Sequence, residues 1–160
     1  MADEVSAGPH EAALPDGFSV STDPARLDLS MTHEFLSKRS YWAAGITIDL
    51  VRRSVENSIC FGLYHHDRQI GFARVVTDRA TFAYLGDVFV HEDYRNRGLS
   101  KWLLACVMRH PDLQGLRRIM LGTRDAHGLY EQFGFMSLAS PERFMEIFHP
   151  DIYEVRHVEA

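Results

Sequence analysis

Apolar residues along the chain change period several times, and each change marks an expected element. Residues 1–16 mix small, acidic and proline residues without a period, which predicts a flexible tail. Phe18 to Thr22 alternates apolar and polar and reads as a strand that Asp23-Pro24 breaks. Ser30 to Ser37 reads as a short helix, and Tyr41 to Gly45 as an aromatic loop. Thr47 is placed to cap a second helix, with Ile48, Val51 and Val55 inward and Arg52, Arg53 and Glu56 toward water.

Ile59 to His65 is a run of β-formers that turns at His66-Asp67-Arg68. Gln69 to Thr77 follows, with Ile70, Phe72 and Val76 expected on one face and Arg74 among them. Asp78-Arg79-Ala80 makes a hairpin turn, and Thr81 to Val90 returns antiparallel. At Leu99 the period becomes helical, because Leu99, Leu103 and Val107, and Leu104 and Met108, fall three and four apart. His110-Pro111 ends that pattern. Arg118 to Gly122 is a strand, Ala126 to Phe133 a short helix stopped by Gly134, and Phe144 to Phe148 a last strand. The sum is one α/β (α+β) domain over 17–160: a mixed, mostly antiparallel central sheet with helices on both faces.

A length of 160 residues, with 46% hydrophobic and 24% charged residues, suits one globular domain that needs no staples. The net charge of −5 speaks against a nucleic-acid partner. There is no run of about 18 apolar residues to cross a membrane, and Asp3, Glu4 and Glu11 stand where an export signal would carry positive charge. A cytoplasmic protein is therefore expected. Cys60 and Cys106 lie in apolar runs with neither an adjacent base nor a C-x-x-C partner, so buried reduced thiols are expected. His65 and His66 are adjacent on a strand, point to opposite faces and have no third ligand at a suitable spacing, so no metal is expected.

The stretch with most chemistry runs from Leu85 to Met108: apolar strand, basic turn, helix. Gly98 sits where strand becomes helix. The helix's first N–H groups, its positive dipole end, Arg95, Arg97 and Lys101 together make an anion site suited to a pyrophosphate. The residues alone also fit a solvated basic turn ahead of an ordinary core helix. Neither G-x-x-x-x-G-K-[ST] nor G-x-G-x-x-G is present.

Arg95-x-x-Gly98-x-Ser100, after a strand ending Asp87-Val88-Phe89-Val90, resembles the Q/R-x-x-G-x-G/A pyrophosphate loop of the GNAT superfamily of N-acetyltransferases. Ala126-His127-Gly128-Leu129-Tyr130-Glu131-Gln132-Phe133-Gly134-Phe135 is similar to that superfamily's A-x-x-L-Y-x-x-x-G-F segment. The resemblance covers roughly Phe61 to Phe148. It implies acetyl-CoA as cofactor, coenzyme A as product and direct transfer to a small amine, and it leaves room for a homodimer. Cofactor contacts are then expected from the backbone of Val88, Phe89 and Val90 and from Arg95, Asn96, Arg97, Gly98, Leu99, Ser100 and Lys101. Thr123 takes the place, seven residues before the helix tyrosine, where the family often has Asn.

Tyr130 is the expected proton donor to the departing thiolate, since its phenol, with a pKa of ~10, is protonated at neutral pH; packing against the sheet is the competing role. Asp87 is the candidate base, acting through water, and Tyr84 a weaker one. Arg74 falls opposite Gly86 or Asp87, so a cross-strand ion pair competes with that role. The resemblance implies a strand N–H, that of Val88, to meet the acyl oxygen. Tyr41, Trp42, Arg74 and Tyr84 are the expected acceptor pocket. Two rival functions stand beside this one: an acetyltransferase acting on a protein lysine or N-terminus, and an acyl-CoA-binding sensor without turnover.

Overall fold

The computed structural model describes residues 10–154, which divide into two compact units. The first comprises the chain up to Asp28 together with Asn57–Leu121; the second comprises Leu29–Glu56 and the chain from Gly122 onward.

The first unit is a six-stranded sheet with one long helix. Its strands are β1 (Glu11–Ala13), β2 (Phe18–Ser21), β3 (Ile59–His65), β4 (Arg68–Thr77), β5 (Phe82–Val90) and β6 (Arg118–Leu121), adjacent in chain order. Every neighbouring pair is antiparallel except β5 and β6, which are parallel. That parallel pair requires a crossover, which the helix between β5 and β6, α3 (Leu99–Met108), supplies. β3 is buried along nearly its whole length, as a central strand of Ile, Cys, Phe, Leu and Tyr should be. Leu99, Leu103, Leu104 and Val107 are buried as the stripe predicted, and α3 packs against β3 and β5. Phe72 and Phe89 face each other on β4 and β5 at 6.0 Å.

β1 lies within the stretch expected to be tail: Glu11–Ala13 pairs with Ser19–Ser21 of β2. Residues 1–9 of that expected tail lie outside the described residues. Val76 is 43% exposed, so it does not share the burial of Ile70 and Phe72.

The second unit contains α1 (Leu29–Lys38), α2 (Ile48–Glu56) and α4 (His127–Glu131), with α1 packed on α2. Val51 is fully buried while Arg52, Arg53 and Glu56 face water, the expected division of the α2 stripe. The Phe144 to Phe148 strand is not formed. Among the described residues that segment joins no β-ladder, and Met145 and Ile147 are 99% and 90% exposed. Strand composition alone does not make a strand; a neighbour with open backbone groups is needed as well.

No helix among the described residues is long and apolar enough to cross a membrane.

Candidate functional site

The β5 strand changes partners at the residues singled out by its sequence. The β6 ladder covers Phe82–Leu85 and ends at Leu85 opposite Leu121, and Gly86–Val90 run on past it. On the other side, β4 pairs Phe72 with Phe89 but Arg74 with Gly86, so β5 carries one extra residue there. This is a β-bulge, and Asp87 takes the left-handed conformation it demands, at φ 54. The sequence placed the bend next to Gly86; the strained residue is the aspartate beside it.

The bulge brings Arg74 and Asp87 together. Arg74 Nε donates to Asp87 Oδ2 at 2.8 Å, and Arg74 Nη1 donates to Ser58 Oγ at 3.2 Å. Ser58 had no signal in the sequence, because its link to Arg74 depends on the β3–β4 pairing. Cys60, directly opposite Arg74 on β3, is buried, and burial pushes its thiol pKa up to about 12. It is an inert core thiol rather than a nucleophile. Cys106 on α3 is half-buried and shifted the same way by burial.

Beyond Val90 the chain makes a tight turn at Glu92–Tyr94 and enters α3 through two left-handed residues, Asn96 at φ 63 and Gly98 at φ 73. Gly98 precedes the helix without a side-chain cap, and the first helical bond runs from Trp102 N–H to Gly98 O. The helix itself therefore gives no acceptor to the N–H groups of Leu99, Ser100 and Lys101. A Cβ built at Gly98 meets no atom within 4 Å, so the space beside the loop backbone is open.

The two arginines of the turn are not simply extended into water. Arg95 Nε donates to Val90 O at 3.1 Å, and the Arg97 guanidinium lies over the Tyr94 ring at 5.4 Å. Arg95, Asn96, Arg97, Gly98 and Lys101 are exposed, whereas Leu99 is buried. His65 and His66 stand with their rings 4.5 Å apart, and His65 Nδ1 is 3.1 Å from the Tyr94 hydroxyl. Among the described residues no three His, Cys, Asp or Glu side chains gather as a metal site would require. Tyr84 stands exposed on β5, opposite Val76 on β4 and in register with Met120 on β6.

In the second unit, Tyr130 lies on α4, and its ring meets Phe135 edge-on at 5.9 Å. Burial raises the pKa of its phenol, with a smaller contribution from Tyr41. Thr123 Oγ1 accepts from Ala126 N–H at 3.1 Å, so this hydroxyl ties down the entry to α4. The helix is shorter than the expected Ala126–Phe133, ending at Glu131 before a turn in which Phe133 N–H bonds Tyr130 O. Tyr41 and Trp42 meet edge-on at 5.1 Å, and both are exposed. The Tyr41 hydroxyl accepts from Arg124 N–H at 3.0 Å while the Arg124 guanidinium lies 3.9 Å over its ring. Arg124 carried no sequence signal, since 83 residues separate it from Tyr41.

Comparison with known proteins gives this arrangement a family. The model of the acetyltransferase (GNAT) family matches residues 25–135. A candidate acetyltransferase of that family from Xanthomonas campestris pv. campestris is 51% identical in its crystal structure; the match covers 85% of this chain and 96% of that one, with a TM-score of 0.84. A candidate acetyltransferase from Gibberella zeae is 33% identical over 71% of this chain and 75% of its own length. A GNAT family acetyltransferase from Elizabethkingia anophelis, solved with acetyl-CoA bound, shares the fold at 15% identity and a TM-score of 0.58, covering 84% of this chain and 90% of that one. With a family model over more than half its length and a relative of 51% identity, this chain belongs to the GNAT acetyltransferase family.

Proposed function

We propose that this protein transfers an acetyl group from acetyl-CoA to the nitrogen of a small amine, directly and without an acetyl-enzyme intermediate. The observation that carries the reading is the course of β5, which passes the end of its β6 ladder, bulges at Asp87 and leads into an uncapped helix N-terminus. The residues present fit the cofactor. A bulged strand that has outrun one neighbour suits the amide-rich arm, and the open space at Gly98, with three N–H groups that α3 leaves without a helical acceptor, suits the pyrophosphate.

When bound, acetyl-CoA supplies an activated thioester. The chain's own residues do the rest. Val88 and Val90 offer backbone groups to the arm, and the Val88 N–H polarises the acyl oxygen. The N–H groups of Leu99, Ser100 and Lys101 hold the pyrophosphate, assisted by the charges of Arg97 and Lys101. Arg95 spends its Nε on Val90 O, so its first task is to fix the loop against the strand. Tyr130 donates its phenolic proton to the departing sulfur; a phenol whose pKa burial has raised keeps that proton at neutral pH.

Deprotonating an alkylammonium with a pKa of ~10.4 at pH 7 costs ~4–5 kcal/mol. Asp87, beside Arg74, takes that proton through water. Tyr41 and Trp42, exposed and edge-on to one another, supply apolar surface for the amine's carbon skeleton. The testing experiment is a thiol-release assay with acetyl-CoA and a panel of amines. Release that depends on a small amine supports the reading; transfer only to peptide lysines or N-termini, or binding without release, contradicts it.

A further inference from the structure

We infer that His65 and Tyr94 are a positioning pair: by tying the Tyr94 ring to the end of β3 they set the Arg95–Gly98 loop and so tune affinity for the pyrophosphate-bearing half of the cofactor. The inference rests on the function proposed above and names residues outside its machinery.

The Tyr94 hydroxyl lies 3.1 Å from His65 Nδ1. A phenol both donates and accepts, so the bond does not depend on one imidazole tautomer. His65 is itself immobilised. Its ring stacks on that of Phe18, its cross-strand neighbour on β2, at 4.6 Å and 20°. Tyr94 stands edge-on to both rings, at 5.4 Å from His65 and 6.3 Å from Phe18. The base of the loop thus leans on an aromatic platform built from the ends of two strands.

From Tyr94 the constraint passes forward. Its ring carries the Arg97 guanidinium at 5.4 Å, an attraction that aligns a long, exposed side chain. Tyr94 N–H bonds His91 O at 2.9 Å, and Arg95 Nε bonds Val90 O at 3.1 Å. These ties bracket Asn96, a non-glycine residue held in the left-handed region. Such a conformation persists only where its surroundings over-determine it. Loosening the bracket lowers the fraction of molecules whose loop is ready to bind, and apparent affinity falls by that fraction. Because the platform grips Tyr94 at the base of the loop, the loss falls chiefly on pyrophosphate recognition.

The test measures coenzyme A and pantetheine, which lacks the pyrophosphate, by titration calorimetry against the full chain. Tyr94→Phe keeps the ring and removes only the hydroxyl. It is expected to weaken coenzyme A by about three- to tenfold, the effect of one neutral hydrogen bond, and pantetheine by less than about twofold. His65→Leu should behave alike, and His65→Gln, which restores a hydrogen-bonding side chain, should recover much of the loss. Equal weakening of both ligands, or unchanged coenzyme A affinity in Tyr94→Phe, overturns the inference. Gly98→Val separates this failure from that of the underlying reading. If Gly98→Val weakens coenzyme A while Tyr94→Phe does not, the positioning role alone is wrong; if Gly98→Val binds like the wild type, the loop is not a pyrophosphate site and both fall. Should the His65 variants not fold, the near-isosteric Tyr94→Phe decides the matter.

Discussion

Arg74 Nε donates to Asp87 Oδ2 at 2.8 Å across the bulge where β5 has outrun β6. The pair holds a carboxylate at the strand's left-handed residue, and two competing roles for Asp87 leave different signatures. As a base acting through water, it predicts that Asp87→Asn slows turnover most near neutral pH and recovers in part as pH rises and free amine appears. Arg74→Ala should then be tolerated better. As a purely structural ion pair, it predicts that both substitutions lower stability with strong coupling in a double-mutant cycle. The ratio of mutant to wild-type rate, measured from neutral to alkaline pH, checks this; a flat ratio in a folded Asp87→Asn protein removes Asp87 from the chemistry.

Tyr130→Phe should lower turnover by roughly 10²-fold or more, the usual contribution of a positioned proton donor, while affinity for coenzyme A barely moves. Burial raises the phenol's pKa above its ordinary ~10. Tyr130 therefore keeps its proton at neutral pH, where turnover is measured. Unchanged turnover with a lower melting temperature would make Tyr130 a packing residue only.

Gly98→Val should weaken coenzyme A binding for two reasons. A β-branched residue is strained at φ 73, and its side chain enters the open space beside the loop. Arg97→Ala should weaken binding less, in a salt-dependent way. Arg95→Ala should lose less of its effect at high salt, because Arg95 also anchors Val90 O. Calorimetry at low and high ionic strength checks all three.

Alkaline stability should fall early. Burial pushes Cys60 and Tyr64 each up to about 12. The folded chain therefore keeps protons that the unfolded chain releases near their ordinary values of about 8.5 and 10. This stabilisation is present in full below about pH 8.5 and is lost as pH rises toward 12. Urea midpoints from pH 7 to 11 should decline, and Cys60→Ala should flatten part of the slope after its own packing loss is subtracted.

Elements whose cause is local were legible in the sequence. The α3 stripe needs only its own spacing, and the β4–β5 hairpin only its turn, so counting back from Asp78-Arg79-Ala80 brings Arg74 opposite Gly86 or Asp87, and the ladder pairs it with Gly86. What depends on distant pairing was not legible. β1 has the sequence Glu-Ala-Ala, poor in β-formers, and exists because β2 offers it a ladder. Phe144 to Phe148 has the better strand composition yet joins no ladder among the described residues. Ser58, Arg124 and the His65–Tyr94 bond were invisible for the same reason: each depends on residues that folding, not sequence order, makes neighbours.

The most direct test of the account is product analysis by mass spectrometry after incubating the protein with acetyl-CoA and a panel of small amines. The account predicts one acetylated nitrogen per free coenzyme A released, no acetyl group retained on the protein, and roughly 10²-fold less product with Tyr130→Phe. Coenzyme A binding with no amine-dependent release, or an acetyl group trapped on the enzyme, would contradict it.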